Sequence, residues 1–348
     1  MIEKSLKLQP VTEEPYNAET PMFVLGYDPT PSNLFYIRNH FDVPTFDADH
    51  FALTVNGAVA KLLQFSLEKL KEYPGKSLSV VMECAGNGRA SMNPPIKGTP
   101  WNLGAISLAH FSGIGLHRIL EMAGYSENAS EVLFTGADQG VIRSGEIEPY
   151  ARSLPLEVAL HEDTILAWQM NGEPLPLQHG FPLRLVVPGW YGMAAVKWLR
   201  EITVLTEPFN GFFQTKEYVY SGEKGIAENT PVTNMQVRSL ILEPVDGLDL
   251  SLDTIQVSGI AWTGNGTLTR VELSFDDGNK WVEAAIDPPT SSYSATHWQY
   301  LWKPASPGQY TITARAYDSE GNVQPLTSRW NRGGYGNNAS HRITVSIT

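Results

Sequence analysis

Short apolar runs alternate with stretches of helical spacing from residue 1 to about 230, and glycine and proline punctuate the chain throughout. Ser66 is placed to cap a short helix that carries Leu67 and Leu70 and ends before Pro74. The run Leu78-Ser79-Val80-Val81-Met82 reads as a strand, which puts Cys84 just past a strand end. Leu116, Ile119, Leu120 and Ala123 recur at helical spacing, and Gly124 follows as a stop. This mixture predicts an α+β domain.

The period changes after Pro231. Val271, Leu273 and Phe275 alternate with polar residues, and an Asp277-Gly278 turn leads to Trp281, the pattern of a β-hairpin. Residues 310–317 alternate again and run into a turn at Glu320-Gly321-Asn322. The spacing predicts an antiparallel sandwich of roughly 110 residues. Two domains follow, residues 1–231 and 232–348.

Composition narrows the picture. A chain of 348 residues with 42% apolar and 18% charged residues can bury two cores. No stretch approaches the roughly 18 apolar residues of a membrane span, so a soluble protein without a membrane partner is expected. The start, Met1-Ile2-Glu3-Lys4-Ser5-Leu6, lacks a basic segment, an apolar block or paired arginines. That predicts a cytoplasmic protein if this start is native, or a periplasmic one if a targeting segment has been removed. The 25 Lys and Arg against 37 Asp and Glu leave a formal net charge of −12, which repels nucleic acid and anionic membranes. A small anion is still an admissible ligand, because a local cluster of arginines outweighs distant charge. One cysteine excludes an internal disulfide.

That cysteine carries the most informative motif, Glu83-Cys84-Ala85-Gly86-Asn87-Gly88-Arg89. A thiol beyond a strand, in a loop of small residues with an arginine nearby, is accessible and easily ionised. A lone cysteine is equally a small buried hydrophobe, and the loop by itself does not decide between them. His110, His117 and His161 match no motif and are read as structural, and their spacing makes no zinc site.

Further segments in order along the chain tip the balance. Tyr36-Ile37-Arg38-Asn39-His40 and the cysteine loop are followed by Trp101 to Ser107 and Gly136-Ala137-Asp138. Then come Tyr150 with Ser153-Leu154-Pro155-Leu156, Met170 to Pro176, His179 to Arg184, and Val196-Lys197-Trp198. This series resembles the sulfite oxidase family, which includes the molybdenum domain of assimilatory nitrate reductases, over nearly the whole chain. The resemblance implies a sulfite-oxidase-type molybdopterin-binding domain followed by an immunoglobulin-like dimerisation domain, hence a homodimer. It implies a molybdenum–molybdopterin cofactor with Cys84 as the protein thiolate, soft sulfur suiting that metal. By position, Tyr36, Arg38, Asn39, His40, Asp138, His179, Arg184, Ala195, Val196 and Lys197 correspond to family cofactor contacts. Arg38, Arg89, Trp101 and Tyr150 match the pocket of arginines, tryptophan and tyrosine that holds the substrate.

The implied reaction is oxidation of sulfite to sulfate by oxo transfer, with electrons passed singly to an external acceptor such as a cytochrome. The chain has no haem motif or flavin fingerprint of its own. Two departures bear on the substrate. Gly88 replaces an arginine of the cysteine loop, and Thr267 stands where the family has another arginine. An anion pocket short of positive charge is therefore expected, with Arg152, Arg329 or Arg332 as candidate replacements. The alternatives are a molybdenum reductase of nitrate, another oxyanion or an S-oxide, and a cofactor-free binding protein of the same fold.

Overall fold

The computed structural model of the chain describes residues 7–45, 50–222 and 224–348. Met1 to Leu6, read above for export signals, lie outside the described residues. Two sheets form the N-terminal part. The first runs in the order Leu63–Phe65, Leu53–Gly57, Leu199–Leu205, Glu131–Val141, Ile147–Pro155, with one parallel pairing between Leu53–Gly57 and Leu199–Leu205. The second runs Glu173–Pro174, Ile165–Met170, Ile106–Gly115, Lys76–Glu83, and Arg184–Val186 also pairs with Ile165–Met170.

The expected strand around Leu78 spans Lys76–Glu83, and its last four residues are all buried. Both faces are covered there, so alternation gives way to a continuous buried run. Ser66 caps the Leu67–Lys71 helix, its Oγ accepting the Lys69 N–H at 3.2 Å. The Leu116–Ala123 helix buries Leu116, Ile119, Leu120 and Ala123 and ends at Gly124, whose φ of 65° is left-handed. Helix is scarcer than the mixed texture of the sequence suggests. Among the described residues the α-helices have five, eight and four residues, and strands dominate.

The C-terminal part is a two-sheet sandwich. Arg238–Glu243, Ile255–Trp262, Thr296–Trp302 and Ala285–Ile286 make one sheet. Asp249–Leu250, His341–Ile347, Gly308–Asp318, Leu268–Ser274 and Val282–Glu283 make the other. Asp277 and Gly278 take φ values of 58° and 90° in the predicted hairpin turn. Val257, Trp298, Ile312 and Val345 belong to the core between the sheets.

The two parts share packing. The largest apolar cluster joins Val81, Ile106 and Tyr191 to Leu240, Ile260 and Trp262. Residues 291–293 of the C-terminal part also cover the outer edge of Lys76–Glu83, where the Val81 N–H donates to Tyr293 O at 2.8 Å and Ser291 Oγ donates to Ser79 O at 2.9 Å. The strand that leads to Cys84 is thereby held along both edges.

Gly113 lies where the Ile106–Gly115 and Ile165–Met170 strands approach most closely, and a Cβ there would sit 2.0 Å from Leu166 O. Since the obstacle is backbone, Gly113→Ala is expected to cost about 3 kcal/mol, the upper range for overpacking. Urea denaturation checks this, and a loss below about 1 kcal/mol would contradict it.

Candidate active site

The chain leaves its sheet at Cys84, whose N–H donates to Ala105 O at 2.8 Å. It then turns through Asn87 N–H to Cys84 O at 2.9 Å and Arg89 N–H to Gly86 O at 3.0 Å. Gly88 has φ 84°, and a Cβ there would meet Asn337 Nδ2 at 3.0 Å and Arg238 Nη2 at 3.1 Å. The loop thus needs glycine at this position for conformation and for space. The Cys84 side chain is buried at the meeting point of two cavities, both of which it lines along with Arg38 and Tyr218.

The inner cavity, about 590 Å³, is walled by Tyr36, His40, Asp138, His179, Arg184 and Lys197 among others. Its cations are not matched by carboxylates. Arg184 donates to His179 O at 3.0 Å and Ala195 O at 3.2 Å, and its plane lies over Phe111. Lys197 Nζ donates to Asn39 Oδ1 and, at 2.9 Å, to Gln178 O. Among the described residues the one carboxylate of the wall is Asp138, whose buried Oδ1 has no hydrogen-bond partner. Burial lowers the Lys197 pKa well below the ordinary value, aided by Arg184 and opposed by Asp138, and lowers that of Arg184 to about 10. A space lined by more cations than carboxylates, an orphaned acceptor and a thiol fits a guest that carries negative charge, N–H or O–H donors and a soft metal.

The outer cavity, about 1010 Å³, shares Cys84, Arg38 and Tyr218 with the inner one. Its cations are Arg38, Arg89, Lys97, Arg143, Lys216 and Arg332, and among the described residues its one carboxylate is Glu217, which pairs with Arg143 at 3.0 Å. In a chain of net charge −12 this concentration of positive charge is local, and it makes the cavity a funnel for small anions. Arg89 is oriented by Nε donating to Gly333 O at 3.0 Å and Nη1 donating to Thr99 O at 2.9 Å, and it lies over the Tyr335 ring. Trp101 is fully buried in the wall.

Residues 40–213 match the family described as the oxidoreductase molybdopterin binding domain, and residues 229–348 match the Mo-co oxidoreductase dimerisation domain. The chain is 32% identical to sulfite oxidase of Arabidopsis thaliana, covering 99% of this chain and 94% of that one. The chain belongs to the sulfite oxidase family. It is also 35% identical to mitochondrial sulfite oxidase of Homo sapiens over 97% of its own length, but it spans only 65% of that protein. Among solved structures, the sulfane dehydrogenase SoxCD from Paracoccus pantotrophus superposes with a TM-score of 0.86, at 29% identity, over 98% of this chain and 88% of that one. No helix among the described residues is long and apolar enough to cross a membrane.

Within this sulfite oxidase framework, Cys84, Tyr36, Arg38, His40, Asp138, Tyr150, His179, Arg184, Ala195 and Lys197 come together around the inner cavity, and Arg38, Arg89 and Trp101 line the outer one. Two residues of the expected cofactor set lie behind the wall. Asn39 bonds Lys197 and Gln178, and fully buried Val196 has its N–H on Ala194 O and its carbonyl on the Leu185 N–H.

The expectation for Tyr150 needs correcting. Its hydroxyl donates to Met193 O at 2.6 Å and its ring stacks on His40, so it is not free to orient a substrate oxygen. The tyrosine that borders both cavities is Tyr218, whose hydroxyl is 2.6 Å from His40 Nε2. It follows a one-turn π-helix, Phe213–Glu217, and no periodicity in that stretch marks it. The expected deficit of positive charge is also corrected. Gly88 borders a separate cleft beside Asn337, and the Thr267 N–H bonds Ser319 Oγ at 3.0 Å away from both cavities. Of the candidate replacements, Arg332 lines the outer cavity. Arg152 is buried beneath Tyr218 and donates to Phe213 O, and Arg329 is exposed outside both cavities.

Burial also sets an acid sensitivity. It lowers the pKa of His179 to about 3, helped by Lys197 and Arg184, that of His341 to about 4, helped by Arg238, and that of His40 well below normal, helped by Arg38. Below about pH 6.5 the unfolded chain takes up protons at these positions that the folded chain does not, so stability falls as pH falls. Asp138, raised by burial to about 6 against the pull of Lys197, acts in the opposite sense between about pH 6 and 4. Three groups outweigh one. The Tm of the cofactor-free chain is therefore expected to drop between pH 7 and pH 5, and His179→Gln to reduce the drop. Calorimetry across that range checks it, and a flat or rising Tm on acidification would contradict it.

Proposed function

We propose that the chain is a molybdenum-dependent oxidoreductase that converts sulfite to sulfate and passes the electrons singly to an external acceptor such as a cytochrome. The observation that carries this reading is the position of Cys84, on the wall common to two adjoining cavities that are each lined by several cations. A molybdopterin held in the inner cavity would supply oxo transfer and a two-electron sink. Arg184 and Lys197 suit its phosphate, Asp138 Oδ1 suits its ring donors, and Cys84 is the thiolate ligand.

The remaining work belongs to side chains around the funnel. Arg38, Arg89 and Arg332 hold an oxyanion by charge-assisted hydrogen bonds in a partly dry space. Tyr218 lines both cavities beside Cys84, and its hydroxyl is 2.6 Å from Nε2 of neutral His40. Unlike the Met193 carbonyl that takes the Tyr150 proton, this imidazole can donate to the phenol oxygen in its Nε2–H tautomer and leave the phenolic O–H for a substrate oxygen. Burial raises the Tyr218 pKa to about 12, with Arg38 opposing, so it acts as a hydrogen-bond donor rather than a base. Trp101 closes the wall and limits water. The catalytic domain spans residues 1–231 and the sandwich spans residues 232–348, the latter serving association into a homodimer.

Elemental analysis together with acceptor assays tests the reading. About one molybdenum per chain is expected, with sulfite-dependent reduction of cytochrome c or ferricyanide. Nitrate-dependent oxidation of reduced viologen without sulfite turnover would favour a reductase instead, and absence of metal would favour a binding protein. Cys84→Ser is expected to retain the cofactor and lose nearly all turnover. Arg332→Met is expected to raise the KM for sulfite about tenfold, equivalent to about 1.4 kcal/mol, with a smaller effect on kcat. An unchanged KM would remove Arg332 from the substrate site. Sedimentation checks association, and a monomer at micromolar concentration would overturn the dimer.

A further inference from the structure

The loop that bears Cys84 is gripped chiefly from the sandwich. At its entrance Glu83, 1% exposed, accepts from Arg238 Nη1 at 2.5 Å and Asn87 Nδ2 at 3.0 Å on Oε1, and from Trp262 Nε1 at 2.9 Å on Oε2. Arg238 and Trp262 are direct cross-strand partners in the sandwich, so one rung of its sheet presents both donors to one carboxylate. Further along, the Gly336 N–H donates to Ala85 O at 2.8 Å, and Asn337 Nδ2 donates to Gly88 O at 2.7 Å and to Ser91 Oγ at 3.0 Å. Arg89 returns a bond to Gly333 O at 3.0 Å. The N-terminal part contributes backbone bonds from Ala105 O, Asn102 O and Trp101 O, together with the Ala105 N–H to Asn87 Oδ1.

We infer that Arg238 and Trp262 are positioning residues which, acting through Glu83, set the direction in which the Cys84 side chain leaves its strand. The sandwich is then a structural part of the active site as well as a surface for association. The physical reason lies in the chemistry of the Glu83 contacts. An apolar contact at the strand end would tolerate sliding, because dispersion has little directional preference. A buried carboxylate that must satisfy both oxygens from fixed donors does not. Glu83 precedes Cys84 directly, so a rotation or slip that loosens the carboxylate also swings the thiol away from the junction of the two cavities.

The inference rests on Cys84 being the working thiolate, and its test is kept separate from that reading. Cys84 is the only cysteine, so iodoacetamide consumption by the full-length, cofactor-free chain at fixed pH reports this one sulfur. Trp262→Phe keeps an aromatic ring but removes the pyrrole N–H that donates to Glu83, at the cost of a small cavity. Glu83→Gln combined with Arg238→Met removes both charges together and leaves no unpaired ion behind. Both variants are expected to raise the alkylation rate about tenfold, as the loop escapes its held position more often. Val345→Ala, which opens the sandwich core away from the loop, serves as the control for general destabilisation and is expected to leave the rate within about twofold. An unchanged rate in either test variant, or a rise of the same size in Val345→Ala, would overturn the inference. Molybdenum content of the wild-type chain is read independently, and its absence would count against the cofactor reading alone.

Discussion

A buried carboxylate binds this structure together. Glu83 lies at the end of a strand in the N-terminal part and is held by an arginine and a tryptophan of the C-terminal sandwich and by an asparagine of its own loop. An ionised carboxylate so far from water is stable only when its oxygens are satisfied, so the two parts of the chain must meet in one relative arrangement. Other features follow the same junction. The edge of the Lys76–Glu83 strand is covered by Tyr293 and Ser291, and the apolar cluster around Val81 and Ile106 continues into Leu240 and Ile260.

The second constraint is charge. The chain is acidic as a whole, yet it gathers arginines and lysines on both sides of Cys84. In the inner cavity they are answered by carbonyls and amides, and three cations, Arg38, Arg184 and Lys197, share the single carboxylate of Asp138 among the described residues of the wall. That is electrostatically incomplete without an anionic guest. In the outer cavity the cations are nearer to solvent, where screening weakens their binding energy but leaves their steering of small anions. Arg38 belongs to both settings, since it lines both cavities beside Cys84.

Local signals in the chain were reliable where the physics was local. Ser66 as a cap, Gly124 as a stop and the Asp277-Gly278 turn each depend on a few adjacent dihedrals and hydrogen bonds, and each stands in the fold where the pattern put it. The ordered motifs likewise contain most of the residues around the inner cavity, among them Tyr36, Arg38, His40, Cys84, Asp138, His179, Arg184 and Lys197. The Ile106–Gly115 strand carried no such signal, because a strand buried on both faces loses its alternation and leaves an apolar run that periodicity cannot assign.

The sequence by itself determined the cysteine, the order of the motifs around it and the change of period that separates the sandwich from what precedes it. Only the tertiary structure decided which side chains border both cavities and which are tied down elsewhere. Tyr150 and Tyr218 are equally plain in the sequence, and a single hydroxyl bond to Met193 O sets one of them aside. Thr267 appeared to remove a charge from the anion pocket, whereas the fold turns Thr267 away and brings Arg332 to the funnel. Glu83 and Arg238 are 155 positions apart, and no local pattern links them. Side-chain direction and long-range pairing arise from how sheets close on one another, and that information is spread over the whole chain rather than written at the residues it places.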